Sequence, residues 1–437
     1  MSIGIVSLLI AGSLVGALVL GVPFAFAAGA IAVVVALLSF GTDSMFLISS
    51  RSFDLANNFS LIAVPMFVLM ASILEKSGIA RELYSALQFM AGRIRGGVAV
   101  VTMVIAFILG ATTGIVGGEV VLLGLVALPQ MLRLGYDRRL ALGTICAGGS
   151  LGTMVPPSIV LVFFGIYAGV GIGELFLANV IPAVLLTSIY IAYILIRCAL
   201  QPELAPAVAR DKLGPVPSPG VFIKGVGLPL LVALSVLGSI YLGIASVTES
   251  AACGVAGVIA TTWIRGELSW RLVRDALAQT MFTCGMVMWL VFGTNALIGV
   301  YNAIGGIAFA QRLLGGVATE PWLLVAISIA VFLFLGFFID WVGILFLTMP
   351  IFLPLVRDAG FSLVWYGVVF NLTVQIAYLT PPFAPSAFYL KSVAPPEISL
   401  QDIFRSCWPF IGLQLIALGL VVFFPGFVTW LPALVYK

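Results

Sequence analysis

The amino-acid sequence predicts an all-α, polytopic membrane protein with about 11 transmembrane helices and two re-entrant helical hairpins in an inverted repeat. Three observations lead to this fold class. Of the 437 residues, 62% are hydrophobic and only 8% are charged, and the mean hydropathy is +1.23. Many apolar segments approach the roughly 20 residues that a helix needs to cross a bilayer core of about 30 Å. Two of these segments, one in each half of the chain, are interrupted by a Pro-Pro pair.

Apolar segments make up most of the chain, and short connections join them. Several reach the length of a membrane span, whereas others are shorter. They occupy residues 3–20, 24–40, 58–75, 96–109, 140–168, 175–199, 221–244, 249–264, 281–300, 320–338, 363–390 and 406–430. Two stretches between them, 78–95 and 266–279, combine apolar and charged side chains, and we predict helices that lie along the membrane surface there.

A polar linker at residues 201–220, which contains five prolines, divides the chain near its middle. The Pro156-Pro157 pair before the linker and the Pro381-Pro382 pair after it are 225 residues apart, and other landmarks keep a similar offset. Landmarks in the same order at a stable offset indicate a structural repeat. We therefore predict a first repeat over residues 1–200 and a second repeat over residues 221–437.

Charge in the connections indicates that the second repeat is inverted. One connection of the first repeat carries Arg133, Arg138 and Arg139, whereas the matching connection of the second carries only Arg357 with Asp358. Because arginine and lysine are enriched in cytoplasmic connections, we expect the first connection and the linker to be cytoplasmic. Inversion requires an odd number of crossings per repeat. Each half has six apolar segments, so one segment per half must be incomplete or broken, and the pattern does not identify it.

Residues 110–134 have an unusual pattern for a membrane span. A polar, glycine-rich stretch, ATTGIVGGE, lies between two apolar arms. We predict a re-entrant hairpin with an irregular tip, because irregular backbone inside a bilayer requires protein or an aqueous cavity to satisfy its polar groups. The alternative is one unbroken span that packs closely through its small residues. Glu119 is a candidate site residue because an ionisable group at membrane depth is costly; its alternatives are a water-filled rim or the cap of a helix N-terminus.

The span at residues 140–168 is interrupted by two consecutive prolines. Proline has no backbone N–H and disfavours the helical conformation of the residue before it, so we expect an unwound segment. Freed carbonyl and hydroxyl oxygens suit a hard ion such as Na⁺, and helix N-termini suit the anionic groups of a solute. The alternative is a proline kink that binds no ligand. The candidate residues are Gly149, Ser150, Gly152, Thr153, Pro156, Pro157 and Ser158.

The second repeat carries the counterparts of these features. We predict a hairpin at residues 337–358 and a second broken span at residues 363–390. Asp340 is a candidate for the same reason as Glu119, and its alternatives are a water-filled rim or the cap of a helix N-terminus. The candidate residues of this half are Asp340, Gln375, Thr380, Pro381 and Pro382. We predict that both hairpins and both broken spans form one solute and ion site.

Several classes of function fit the composition poorly. The chain has no histidine, no Ser-His pair and no acidic metal-binding cluster, which argues against an integral membrane enzyme. The net charge of +3 comes from scattered connections and not from a basic face, so no nucleic-acid partner is expected. A channel-like or structural subunit would not need two matching broken spans.

Four longer motifs complete the pattern. They are PMFVLMASILEKSGIA at 65–80, GYDRRLALGTICAGGSLGTMVPPSI at 135–159, IYLGIASVTESAACGV at 240–255 and YLTPPFAPSAFYLKSVAP at 378–395. With these motifs the sequence resembles the DctM-like large membrane subunit of tripartite ATP-independent periplasmic (TRAP) transporters, within the ion transporter superfamily. The resemblance covers most of the chain, and the two Pro-Pro segments are its most specific part.

The resemblance implies an elevator-type importer, with a scaffold domain and a mobile transport domain, in the inner membrane of a bacterium. A Na⁺ gradient drives uptake without another cofactor, and a periplasmic binding protein delivers the solute, a small carboxylate such as a dicarboxylate. A separate small four-helix membrane subunit accompanies the large one. The alternative is a stand-alone Na⁺-coupled carrier of the same superfamily. Carried over by position, the first hairpin tip comprises Thr112, Thr113 and Gly114, and the expected Na⁺ ligands are Thr113, Ser150, Thr153 and Thr380.

Overall fold

A computed structural model describes residues 2–78, 82–83, 94–114, 116–206, 227–318 and 320–436. Over these residues the fold contains 19 α-helices and no strand. The helices are Ile3–Val19 (α1), Phe24–Phe40 (α2), Met45–Ala56 (α3), Ala63–Lys76 (α4), Gly97–Thr113 (α5), Val116–Arg133 (α6), Arg138–Ser150 (α7), Ile159–Ala168 (α8), Ile172–Leu200 (α9), Leu228–Tyr241 (α10), Val247–Ile264 (α11), Trp270–Ala303 (α12), Gly306–Val317 (α13), Pro321–Leu335 (α14), Trp341–Asp358 (α15), Leu363–Ala377 (α16), Pro385–Val393 (α17), Leu400–Phe423 (α18) and Gly426–Val435 (α19).

The predicted all-α membrane fold is confirmed. Seven helical segments in the described residues are long and apolar enough to cross a bilayer: Phe59–Lys76, which includes α4, and helices α6, α9, α11, α12, α15 and α18. Shorter apolar helices, such as α7 and α8, are the pieces of interrupted spans. The surface helix predicted at 266–279 is not a separate element, because α12 runs unbroken from Trp270 to Ala303. Most of the other predicted surface helix, at 78–95, and most of the linker lie outside the described residues.

The helices form two sets. By their contacts, helices α1–α4 group with α10–α13, and helices α5–α9 group with α14–α19. The two sets meet where α12 packs on α15 and α4 packs on α5. In the first set the long helix α12 packs along both α2 and α4. Gly293 makes this packing close, because a Cβ at that position would overlap the backbone of Ala25 in α2. Each set takes elements from both halves of the chain, as expected when two repeats interlock.

Matching turns support the repeat. Gly21, two residues after the end of α1, has φ of 78°, and Gly243, two residues after the end of α10, has φ of 67°. Gly135 and Gly360, which follow α6 and α15, have φ of 79° and 80°. Positive φ is a conformation that glycine adopts without the steric penalty of a Cβ. The same backbone geometry therefore recurs at corresponding positions of the two halves.

Both hairpins begin earlier than the sequence pattern predicted. The first consists of α5 and α6, joined at Gly114, so its first arm starts at Gly97 and not at Gly110. The second consists of α14 and α15, with its first arm starting at Pro321. The segments predicted as separate spans at 96–109 and 320–338 are thus the first arms of the two hairpins.

Candidate functional site

The first broken span is α7 followed by α8. Asp137 caps α7 by accepting a hydrogen bond from the backbone N–H of Leu140 at 3.0 Å. The helix ends at Ser150 and passes into a short 3₁₀ turn, and α8 begins only at Ile159. The prolines at 156 and 157, which are joined by a cis peptide bond, lie in this gap. The span is therefore interrupted rather than kinked, because proline can supply no N–H to continue the helix.

The second broken span is α16 followed by α17. Helix α16 ends at Ala377, and α17 begins at Pro385. Between them lie Pro381 and Pro382, again joined by a cis peptide bond. The hydroxyl of Thr380 donates to the carbonyl of Ile376 at 2.7 Å, within its own span. Both Pro-Pro pairs thus separate two helices at corresponding places in the repeats.

One buried side chain, Gln375 of α16, joins the two broken spans. Its Oε1 accepts a hydrogen bond from Thr153 Oγ1 at 2.8 Å, and its Nε2 donates to Ser150 Oγ at 3.1 Å. All three side chains are buried. Polar groups this deep require partners, and here each repeat supplies the partners of the other.

Further side chains bind the unwound backbone of the first span. Asn371 Nδ2 and Ser158 Oγ both donate to the carbonyl of Thr153, at 3.2 and 2.5 Å. Asn179 of α9 donates to the carbonyl of Met154. These contacts replace the helical hydrogen bonds that the break removes, so that the irregular backbone is satisfied by protein.

The tip of the first hairpin lies directly against the first break. Gly114, with φ of 66°, is so close to the carbonyl of Pro157 that a Cβ would overlap it. Thr113 Oγ1 donates to Glu119 Oε1, and a Cβ on Gly152 would lie 2.7 Å from the other carboxylate oxygen. The hairpin tip and the broken span are therefore in contact.

Glu119 is only 2% exposed, and among the described residues its Oε2 has no hydrogen-bond partner. A position at a water-filled rim does not fit this burial, whereas Glu119 does lie in the first turn of α6, at a helix N-terminus. The neighbouring glycines also serve close packing, because a Cβ on Gly117 would lie 3.1 Å from the ring of Tyr389. Thr112 is directed away from the site, since its hydroxyl donates to the carbonyl of Leu109 at 2.7 Å within α5.

The second hairpin approaches the site from the other repeat. Asp340 is half-buried and stands immediately before α15, but its carboxylate makes no capping hydrogen bond. Trp341 packs edge to face on Phe163 of α8, with ring centroids 5.6 Å apart. Within the described part of the chain, no hydrogen bond joins Asp340 or Thr380 to the network around Gln375.

Two cavities mark the two ends of the broken spans, and they therefore show in which direction each span runs. We call the larger, of about 410 Å³, the arginine-pair cavity; the ends of α8 and α15 line it, at Ala168 and Arg357. The smaller cavity, of about 140 Å³, is lined by Arg139 at the start of α7 and by Arg405 near the start of α18. The first broken span therefore starts at the smaller cavity and ends at the larger. Because α16 follows α15 and α17 precedes α18, the second broken span runs the opposite way.

Residues 11–427 match the family model described as "Tripartite ATP-independent periplasmic transporter, DctM component". The chain belongs to this DctM family. The family is one of transporter permeases, so the resemblance seen in the sequence is confirmed, and the chain is an integral, multi-pass membrane protein.

Individual relatives agree with this DctM-family membership. The chain is 26% identical over 406 residues to the C4-dicarboxylate TRAP transporter large permease protein DctM of Pseudomonas aeruginosa, covering 91% of each chain. It is 30% identical over 389 residues to the ectoine TRAP transporter large permease protein TeaC of Halomonas elongata, covering 86% of this chain and 87% of that protein. The solved structure of the Alcanivorax borkumensis YdaH transporter has a TM-score of 0.63 at 16% identity, covering 95% and 99% of the two chains, and shares the fold.

Two helices outside the broken spans, α9 and α18, also contribute to the site of this DctM-family chain, and sequence reasoning missed both. Asn179 of α9 binds the unwound backbone, and Gln414 of α18 donates to the carbonyl of Gln375 at 3.4 Å. Both are fully buried. Each is an amide with apolar residues on both sides, and the cost of a polar group at membrane depth was the available signal.

Proposed function

We propose that this chain is the large permease subunit of a Na⁺-driven transporter that imports a small organic acid across the inner membrane of a bacterium. A periplasmic binding protein delivers the solute, and a small four-helix membrane subunit completes the assembly. The relatives named above are large permease proteins of TRAP transporters, which supports these partners.

The observation that carries the proposal is the bridge from Gln375 to Ser150 and Thr153. It brings together hydroxyl, amide and carbonyl oxygens from two interrupted spans. Hydroxyl oxygens that donate one hydrogen bond keep lone pairs for a cation. Broken helices that meet at the interface of two repeats are the usual sites of solute and ion binding in secondary transporters.

Glu119 supports a cation beside this network. Its carboxylate is buried, its Oε2 is unpartnered among the described residues, and the hydroxyl of Thr113 donates to Oε1. A buried carboxylate without a countercharge is costly, and a bound cation would offset that cost. We therefore propose Na⁺ coordination by Thr113, Ser150 and Thr153, with Glu119 supplying the negative charge. Thr380 remains a proposed ligand from the second span.

We propose that the solute binds through its negative charge, at the positive ends of two helices. Helices α8 and α17 both start at the breaks, so their N-terminal N–H groups and dipoles favour an anion there. The relatives are named for C4-dicarboxylate and for ectoine. We accordingly propose only the class, a small organic acid with a carboxylate group.

The test is uptake into proteoliposomes under an imposed Na⁺ gradient. Liposomes contain this chain with or without the small membrane subunit, and the binding protein is added or omitted. Uptake should require all three proteins and should stop when choline replaces Na⁺. Transport by this chain alone would replace the tripartite assembly with a stand-alone carrier, and indifference to choline would reject Na⁺ coupling.

A further inference from the structure

The arginine-pair cavity lies between the two sets of helices. Arg51 of α3, Asn302 of α12 and Gln311 of α13 line it from one set, and Tyr167 of α8 and Arg357 of α15 line it from the other. Its volume of about 410 Å³ is in the range of roughly 300–1,000 Å³ that is usual for small-molecule sites. The cavity is therefore large enough for a small organic molecule.

Neither arginine of the cavity has a countercharge among the described residues that line it. Within that part of the chain no aspartate or glutamate lines the cavity, and no ion pair involves Arg51 or Arg357. A guanidinium group presents parallel N–H donors that match the two oxygens of a carboxylate. Two such groups in one cavity favour an anion that carries carboxylate groups.

Neutral donors and apolar walls complete the lining. The hydroxyl of Tyr167 and the amide of Asn302 can each donate a hydrogen bond to an anion. The Tyr167 ring is held by edge-to-face packing on Phe346, with centroids 5.6 Å apart. Ile298 and Leu353 supply apolar surface suited to a short hydrocarbon segment.

Gln311 holds the two sides of the cavity together. Its Nε2 donates to the carbonyl of Pro350 at 3.3 Å, across from α13 to α15. That carbonyl lacks its usual helical partner because Pro354, four residues later, has no N–H. The proline in α15 thus leaves an acceptor that Gln311 uses, and this hydrogen bond ties α13 to α15 at the cavity wall.

The cavity is separate from the network around Gln375. Helix α8 runs from the break near Ser158 to Ala168, and ten residues of helix extend about 15 Å. The arginine-rich connection near Arg139 lies at the opposite end of the broken span. If that connection is cytoplasmic, the arginine-pair cavity is on the side from which an importer receives its solute.

We propose that the arginine-pair cavity is a second binding site, which takes a small organic carboxylate before it reaches the central site. This rests on the proposed function in one respect, that the carboxylate is the transported solute. An anion held by Arg51 and Arg357 contacts both sets of helices. Its binding therefore depends on their relative position.

The test is chemical protection of the arginines in the purified chain. Phenylglyoxal modifies arginine side chains, succinate is the probe, and mass spectrometry of peptides gives the rate at each position. Succinate at about nine times its Kd should slow modification of Arg51 and Arg357 about tenfold, by mass action. Neutral succinamide should not protect them, and exposed Arg312 of α13 should react at one rate throughout. Equal rates at Arg51 and Arg357 with and without succinate would overturn the proposal.

Variants separate this cavity from the central site. Arg51→Ala should abolish protection of Arg357, because both arginines hold one anion, whereas Arg312→Ala should leave it intact. If Arg51→Ala fails to fold, Arg51→Lys keeps the charge and should retain part of the protection. Gln375→Ala alters only the central network, so protection should persist in it. Loss of protection in Gln375→Ala would show that succinate acts through the central site and would reject a second one.

Uptake by the complete system is measured in parallel. Uptake that does not depend on Na⁺ would reject the proposed function. The protection of the arginines by succinate is a separate measurement, and that result would leave it unchanged. Intact Na⁺-dependent uptake with unprotected arginines would reject the second site alone.

Discussion

At the scale of single residues, Gln375 illustrates why an amide occupies the centre of the site. Its Oε1 accepts from Thr153 and its Nε2 donates to Ser150, so one side chain uses both of its functions on the opposite repeat. A carboxylate could only accept when ionised, and an apolar side chain could do neither. A neutral amide thus joins the two broken spans, and it adds no charge of its own to the site.

Thr153→Ala is expected to lower the apparent affinity of transport for Na⁺. The change removes the hydroxyl that donates to Gln375 and that we propose as a Na⁺ ligand. The half-saturating Na⁺ concentration should rise about tenfold, or about 1.4 kcal/mol, the size of one buried hydrogen bond. Thr187→Ala is the control, because that buried threonine donates only to Ala183 of its own helix. Unchanged Na⁺ dependence in Thr153→Ala would show that the ion site is misplaced.

Gly114→Ala is expected to destabilise the protein through two effects. The left-handed backbone at φ of 66° disfavours a Cβ by about 1–2 kcal/mol, and the new methyl group would overlap the carbonyl of Pro157. Gly243→Ala separates these effects, since its φ is 67° and nothing lies within 4 Å of a Cβ there. Thermal unfolding in detergent should show the larger loss for Gly114→Ala. Equal losses would mean that the hairpin tip does not pack against the break.

The positions of the breaks could be predicted from the sequence, but their partners could not. Pro156 and Pro381 break their spans because proline has no backbone N–H, and this property is evident from the sequence alone. Asn179 and Gln414 reach the site only because α9 and α18 turn particular faces toward it. Helix faces that meet in space leave no local trace in an apolar segment, so these contacts required the structure.

At the scale of elements, the hairpins explain why each half of the chain has six apolar segments although an inverted repeat requires an odd number of crossings. Hydropathy alone does not distinguish the arm of a hairpin from a short span, so it predicts crossings at 96–109 and 320–338. The structure makes them the first arms, α5 and α14. Five spans then remain in each half, which is the odd number that inversion requires.

The connection between α11 and α12 offers a test of element packing. The side chain of Arg265 is 2% exposed and binds Glu82 and Glu267, each at 2.8 Å, while Glu267 also accepts from the N–H of Gly78 at 3.1 Å. Arg265→Ala is expected to lower the free energy of unfolding by about 1–3 kcal/mol, as for charged hydrogen bonds. Arg271→Ala, at an 87% exposed side chain, should change it little. A loss no larger than that of the control would contradict a structural role.

The same cluster gives a pH dependence. The hydrogen bond from Arg265 lowers the pKa of Glu267 from its usual 4.5. Because the folded pKa is depressed, its contribution is complete above pH 4.5 and is lost as pH falls through the lower folded value. The stability difference between wild type and Arg265→Ala should therefore be constant from pH 7 to 5 and narrow below pH 4.5. Unfolding followed over this range checks it, and a difference that widened in acid would have the wrong sign.

At the scale of the whole molecule, the elevator movement that we propose would shift the two sets of helices, and the arginine-pair cavity lies between them. Asn302→Cys, in a background with Cys253→Ser, should react with an impermeant maleimide at a rate that changes at least severalfold with saturating Na⁺ and solute. Asp358→Cys is the control, because Asp358 is exposed beside Arg357 but does not line the cavity. The same rate at Asn302→Cys in all conditions would argue against relative movement of the sets.

The opposed directions of the two broken spans bear on reversibility. A molecule whose halves are alike but inverted can exchange the conformations of its halves, and the result is the same arrangement facing the other side. The two arrangements then differ in free energy only where the halves differ. One such place is α12, which is continuous where the first half has α3 and α4 separated near Asn57 and Asn58. When that difference is small, both arrangements are populated, and the gradients of the transported species set the direction of net flow.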